Sequence, residues 1–254
     1  MHPFSLLPTP PGWSRVSDRH TFVLLHPLPM PQIVEPQADL TLADIDAAIE
    51  ESREHVRAHG KDSLVWLTGP DHPWLAGALA ERGLRNEDGS GLEATENAMA
   101  RVASPTCPAV DGIVISRVDT FDAFAASVRV EVEAFDLSAE ERRETEAGLA
   151  DRWREYASAD QHRRWTAAAD GRVVGTASGA FGAAGLNLFG GAVLPEARGR
   201  GVYQALVSAR WEAAVQAGTP ALTVQAGRMS RPILERLGFT SVAVMPTYVD
   251  DAFD

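Results

Sequence analysis

Apolar positions along the chain recur at two spacings, and these predict the order of elements. Thr21 to His26 is an apolar run of strand length, and Leu64-Val65-Trp66-Leu67 is a short buried strand. Between them Leu42 to His59 carries Ile45, Ala48 and Ile49 at helical spacing, with Thr41 or Asp39 as its cap. Trp74 to Arg82 predicts a second helix, stopped by Gly83. Further on, Thr120 to Phe135 reads as a helix with Phe124, Val128 and Phe135 as its apolar stripe. Ile113 to Val118, Arg164 to Ala169, Val173 to Phe181 and Leu186 to Leu194 read as strands. Asp170-Gly171 supplies a hairpin turn between the second and third of these, and Gly182 to Gly185 a further reversal. Val202 to about Gln216 repeats Val202, Leu206, Ala209 and Ala213 along one helical face, and Ala221 to Ala226 follows as a strand. The expected fold class is α/β (α+β): a mixed central sheet flanked by helices, with a smaller N-terminal α/β domain.

Prolines divide the chain. Pro105 and Pro108 lie in the stretch Ala103 to Ala109 between periodic segments, which predicts a linker. The expected division is 1–102, a linker at 103–111, and 112–254. The first part opens on irregular sequence with Pro3, Pro8, Pro10 and Pro11. Its helix–strand–helix order, ending in Arg82-Gly83-Leu84, echoes the order from Val202 to Phe239, and points to a degenerate shortened copy of the second part. An unrelated small α/β cap is the alternative. No Gly-rich basic loop precedes the first helix.

Composition narrows the function. The chain has 254 residues and a net charge of −12, which argues against nucleic acid and suits a cationic small molecule. No apolar run approaches about 18 residues, so no membrane span is expected. No basic region precedes the apolar residues near Met1, and Cys107 is the single cysteine. Both features point to a cytoplasmic protein without disulfides. His55 and His59 have a spacing that can hold a metal, but no third ligand is identifiable, and no metal is expected. Trp153, Trp165 and Trp211 are expected in the core or at an interface.

The chemistry concentrates between Gly190 and Tyr203. An apolar strand ends at Leu194-Pro195, then Arg198-Gly199-Arg200-Gly201 leads straight into a helix. The first N–H groups of a helix have no internal partner and carry partial positive charge. Glycines clear Cβ atoms from their path, and arginines add full charge, so the junction is expected to cradle phosphate oxygens. It lacks the Lys-Ser or Lys-Thr of a P-loop and the three spaced glycines of a Rossmann loop.

The segment resembles the coenzyme A loop of the GNAT superfamily of acyltransferases. Arg198, Gly201 and Tyr203 hold the three defining places, the last departing from the usual Gly or Ala. The resemblance runs from about 112 to 250 and includes a short helix ending in Leu237-Gly238-Phe239. It implies acetyl-CoA as co-substrate, held by Val193, Arg198, Gly199, Arg200, Gly201, Val202 and Tyr203, with the Val193 N–H on the thioester carbonyl. It implies transfer to an amine by direct attack, with a small-molecule acceptor expected. A silent acyl-CoA-binding protein and a protein-modifying acetyltransferase are the alternatives, and a homodimer is left open. Glu131 falls within the apolar stripe of its helix and is the candidate base, with a structural ion pair to Arg163 or Arg164 as the other reading. Glu133 points to the opposite, solvated side. The tyrosine that many members use as acid is replaced by Leu234; Tyr248 is the candidate acid, with Tyr203 or water as the alternatives.

Overall fold

A computed structural model of the chain describes residues 7–26, 31–88, 93–107 and 110–251. The N-terminal Met1 to Phe4 and, within the linker, Pro108 and Ala109 lie outside these residues. The backbone separates into two compact units that are interleaved in sequence. Unit 1 comprises Met1–Met99, Ala226–Arg231 and Ser241–Asp254, and unit 2 comprises Ala100–Gln225 and Pro232–Thr240. The contiguous division expected from the prolines therefore misses two C-terminal segments that belong to unit 1.

In unit 1, β1 (Ser14–Ser17), β2 (Thr21–Leu25) and β3 (Gln32–Pro36) form an antiparallel meander. Helix α1 (Ile45–Ala58) then crosses over to β4 (Leu64–Leu67), which pairs parallel to β3. Helix α2 (Leu75–Glu81) and β5 (Thr95–Arg101) follow. The strand β11 (Thr240–Asp250), from the far end of the chain, lies antiparallel to β4, with Thr247 opposite Leu67 and Asp250 opposite Leu64. It covers an edge that would otherwise expose four fully apolar positions to solvent-side pairing. The helix expected from Leu42 begins as a single 3-10 turn, Leu42–Asp44, and becomes α-helical at Ile45. Ile45, Ala48, Ile49 and Val56 of α1 pack with Leu64, Trp66, Leu75 and Leu79 in one core.

Unit 2 opens with β6 (Ile113–Arg117), then α3 (Phe121–Ala134), α4 (Ala139–Ala147) and α5 (Leu149–Ser158). A second meander follows: β7 (His162–Ala169), β8 (Arg172–Gly182) and β9 (Gly185–Val193). Helix α6 (Val202–Gln216) crosses over to β10 (Leu222–Ala226), parallel to β9, and α7 (Arg231–Arg236) comes next. The strand order is β10-β9-β8-β7-β6. Meander, crossover helix, parallel strand, short helix and final strand thus recur in both halves of the chain, which extends the repeat read from sequence by three strands.

Local sequence accounts for these elements. Thr120 caps α3 by accepting the Ala123 N–H, and Ser138 with Glu141 forms a reciprocal capping box that starts α4. Asp170 and Gly171 both have positive φ, as the hairpin between β7 and β8 requires. Two expected faces are corrected. Phe135 is 59% exposed because α3 ends at Ala134, before the apolar stripe could continue. On α6 the buried face is Val202, Leu206, Val207, Arg210 and Ala214, not the stripe through Ala209 and Ala213. The helix turns this way because Gly175 of β8 lets Val202 and Leu206 close in: a Cβ there would lie 2.6 Å from Val202 Cγ1.

Candidate functional site

The site is built where β9 leaves its neighbour. β9 pairs with β10 through Leu186, Asn187 and Leu188 only, and Phe189 to Val193 run on without a β10 partner among the described residues. The register with β8 shifts between Thr176 and Ser178, so that Gly190 and Gly191 form a bulge. Gly190 has φ +58, a conformation that favours glycine. The bulge also reorients the end of the strand. Leu194 N–H donates to Val174 O at 2.9 Å, so Leu194 faces β8 with its backbone. By the alternation of an antiparallel ladder, the N–H and C=O of Val193 turn the other way, into the gap. Its carbonyl accepts from Arg198 Nε at 3.2 Å.

The loop after β9 carries Gly199 at φ +74 and Gly201 at φ +80, the latter as the N-cap of α6. Alternating left-handed residues of this kind turn successive amides to one side. Among the described residues, the first N–H at the helix start to reach a backbone carbonyl is that of Ala205, on Gly201 O at 3.0 Å. The amides ahead of it are the orphan donors of the helix end. Nothing lies within 4 Å of the place a Cβ would take on Gly199, whereas on Gly201 it would lie 2.7 Å from Val110 Cγ2. Gly201 is therefore required twice, by its φ and by the side chain packed on it. Arg200 reaches Asp170 at 3.7 Å, with both groups well exposed.

Tyr203 points back onto the strand: a Cβ on Gly191 would meet its ring at 3.0 Å. The Tyr203 ring also lies 6.0 Å from the Arg210 guanidinium. Arg210 is 1% exposed and donates to Leu206 O and, at the bulge, to Ser178 O. Burial pulls its pKa below the ordinary arginine value. No sequence reading anticipates a buried arginine in the middle of α6; the polar residue interrupting that face is the signal that could have found it.

Glu131 lies beside the bulge. Its Oε1 would be 3.7 Å from a Cβ on Gly190, and it pairs with Arg164 at 3.0 Å, the side chains being 17% and 12% exposed. Arg164 also donates to Ser127 Oγ and stands over the Phe124 ring. Of the two arginines considered as partners, Arg163 turns instead to the carbonyls of Asp160 and His162. Glu133 pairs with Arg172 on the exposed side. His162, missed in the sequence reading, sits on the same face of β7 as Arg164, two residues away. It is buried, edge-on to Phe189, and burial, then the Arg163 charge, lowers its pKa. Its Nε2 has no hydrogen-bond partner among the described residues.

The structure thus places Glu131 beside Gly190, Tyr203 against Gly191 and Arg198 on the Val193 carbonyl, all in unit 2. Tyr248 belongs to β11 of unit 1, opposite Trp66 and packed against the core of that unit. Leu234 is fully buried. His59 Nδ1 turns to the carbonyl of His55, so the two histidines do not form a pair around an ion. A groove of unit 2, about 710 Å³, lies toward the other end of α6 and is lined by Arg117, Arg163, Trp165, Phe181 and Glu212.

A parted parallel pair, a bulge and a glycine-containing helix start thus follow one another along unit 2. Residues 130–239 match the profile of the Acetyltransferase (GNAT) family, and the chain carries a GNAT acetyltransferase domain. A GCN5-related N-acetyltransferase from Kribbella flavida superimposes with a TM-score of 0.72 at 16% identity, over 95% of this chain and 91% of that one. A tandem GNAT protein from the clavulanic acid biosynthesis pathway gives 0.62 at 17% identity, over 96% and 85%. A GCN5-related N-acetyltransferase from Sphaerobacter thermophilus gives 0.63 at 16%, over 92% and 81%. At these identities the likeness is one of fold. No curated protein sequence matches the chain. No helix among the described residues is long and apolar enough to cross a membrane.

Proposed function

We propose that the chain is an acetyl-CoA-dependent N-acetyltransferase acting on a small-molecule amine, with unit 1 a degenerate copy that has lost the coenzyme loop. What supports this reading is the Val193 backbone turned into the gap beside β9, followed by the left-handed Gly199 and Gly201 at the start of α6. Acetyl-CoA, when bound, supplies a thioester carbonyl that an amine can attack directly. Val193 N–H is the donor for that carbonyl, and one such donor is worth about 3 kcal/mol of barrier. The amides of Gly199 to Tyr203 and the start of α6 hold the pyrophosphate, with the exposed Arg198 and Arg200 adding charge at the rim.

The acceptor arrives as an ammonium. At an ordinary pKa of about 10.4, freeing the amine at neutral pH costs roughly 4–5 kcal/mol. Glu131, beside the bulge, attracts the cation and takes its proton directly or through a water, with Arg164 fixing the carboxylate in place. The amine nitrogen then bonds to the acetyl carbon and gives up its second proton to solvent as the carbon–sulfur bond breaks, and the departing thiolate takes a proton from solvent. A thiol of pKa about 8.5 leaves without a dedicated acid. That suits the buried Leu234, which holds the place of the family's usual acid.

The test is calorimetric titration with acetyl-CoA of the wild type and of Gly201→Trp, followed by thiol release with a panel of amines. Micromolar binding lost in the variant, with amine-dependent thiol release, is the expected result. Binding without turnover on any amine would favour a silent acyl-CoA-binding protein, and no binding at all would remove both readings.

A further inference from the structure

Unit 1 contains a cluster of metal-ligating side chains that the proposed reaction does not use. Asp18 sits at the tip of the β1–β2 hairpin with His20 two residues on, and Glu51 and His55 are one turn apart on α1. His20 Nδ1 lies 2.8 Å from Glu51 Oε2, and His55 Nε2 lies 3.2 Å from Asp18 Oδ2. One donor atom each of Asp18, His20 and Glu51 lies within 4.8 Å of the others. Asp18 is oriented independently of the imidazoles. Its Oδ1 accepts the backbone N–H of His20 and of Thr21 at 2.7 Å, and the Thr21 hydroxyl donates to Oδ2 at 3.1 Å.

A second observation comes from His20 itself. Its side chain is only 10% exposed, and its Nε2 is buried without a hydrogen-bond partner among the described residues. With Nδ1 facing Glu51, the other nitrogen stays unsatisfied in either tautomer, which is costly for a buried group. Asp44 Oδ1 stands 4.0 Å from that nitrogen, too far for a hydrogen bond.

We propose that Asp18, His20, Glu51 and His55 bind a divalent transition-metal ion of the zinc type. Two imidazoles and two carboxylates form a donor set for a borderline cation, whereas calcium and magnesium take oxygen alone. Donors about 2.0–2.1 Å from a tetrahedral zinc lie about 3.3 Å from one another. The His20–Glu51 and His55–Asp18 contacts of 2.8 Å and 3.2 Å lie near that spacing. The Asp18, His20 and Glu51 donors span up to 4.8 Å and His55 stands outside that group, so binding must draw the hairpin and α1 together around the ion. Once Nδ1 holds the ion, Nε2 carries the hydrogen, and Asp44 becomes the outer carboxylate that ligating histidines commonly have. The buried nitrogen gains that partner once Asp44 closes the 4.0 Å gap. Four protein ligands leave no open position, so the ion is structural and pins the hairpin to α1. The His55–His59 spacing is incidental; the true partners of His55 come from the hairpin.

The test uses the untagged full-length chain, stripped with a chelator and titrated with cobalt(II) by visible absorption and with zinc by calorimetry. The expected result is one equivalent per chain, a tetrahedral cobalt spectrum displaced by zinc, and a raised melting temperature. Glu51→Gln and His55→Gln alter half-exposed positions and are each expected to weaken zinc by at least about 10–100-fold. His59→Gln is expected to leave it unchanged. A wild-type chain that takes up neither ion at tens of micromolar, or uptake that both ligand variants leave untouched, would overturn the site. Both readouts are independent of acetyl transfer.

Discussion

Glu131→Gln tests structure and chemistry at once, provided it is read as one corner of a cycle with Arg164→Met. At 3.0 Å and an effective dielectric near 20, the Coulomb attraction of the pair is about 5–6 kcal/mol before desolvation is subtracted. Removing one member of a buried pair costs about 3–5 kcal/mol, because the other charge is stranded. Here the side chains keep 17% and 12% of their exposure, and Arg164 retains Ser127 Oγ and the Phe124 ring. The expected loss for Glu131→Gln is therefore about 3 kcal/mol, or roughly 6–12 °C in melting temperature for a domain of this size. Arg164→Met strands the carboxylate and is expected to cost as much. The double variant leaves no stranded charge and should recover most of the stability. Urea unfolding of the four proteins gives the coupling, and thiol release gives the chemistry. Turnover on the amine is expected to fall about 10²–10⁴-fold in both proteins that lack Glu131, including the restabilised one. If the double variant were as active as the wild type, Glu131 would be a structural partner of Arg164 and nothing more. Additive stability losses would mean that the ion pair does not form in solution.

Other expectations follow from the packing. His162 and His72 both have pKa values lowered by burial below 6.5, so the unfolded chain binds more protons than the native one as pH falls through that value. Stability should therefore decline with acid below about pH 6.5, by about 1.4 kcal/mol for each unit of pKa depression, and His162→Leu should flatten the decline. An unchanged slope in that variant would remove His162 as a cause. Gly185→Ala places a Cβ 2.5 Å from Ala221 O, a backbone atom that also accepts from Leu186 N–H. It should cost about 1–3 kcal/mol and loosen coenzyme binding by disturbing the last paired stretch before the strands part, which calorimetry would detect. Gly201→Ala requires a left-handed alanine as well as a displaced Val110, and should cost at least about 1–2 kcal/mol.

The elements legible in sequence are those whose periodicity is local. Asp170-Gly171, Gly238 at φ +86 and the Gly199–Gly201 loop stood out because special backbone conformations demand particular residues. Helices α4 and α5 did not, since α4 has no buried residue and its start is marked only by Ser138 and Glu141. The charged partners were the least legible. Glu131 could be placed on a helix face, but the choice between Arg163 and Arg164 depends on which face of β7 each occupies, which only the strand register decides. Arg210 escaped for the same reason: its role is to meet the Ser178 carbonyl at a bulge, and a bulge has no local sequence code beyond the glycine pair opposite.

The antiparallel pairing of β11 with β4 has a consequence for how the polypeptide is made. Leu67 meets Thr247 at a sequence separation of 180, so the first-synthesised unit is the last to be completed. A ribosome releases the N-terminal strands long before their closing strand exists. In that interval Leu64 to Leu67 present a bare apolar edge, a setting in which nascent chains aggregate or recruit chaperones. The same geometry warns against dissecting the protein by cutting at the proline-rich stretch: a fragment ending there would be born with a missing strand. Stability lost at the C-terminus should be felt first in the N-terminal core.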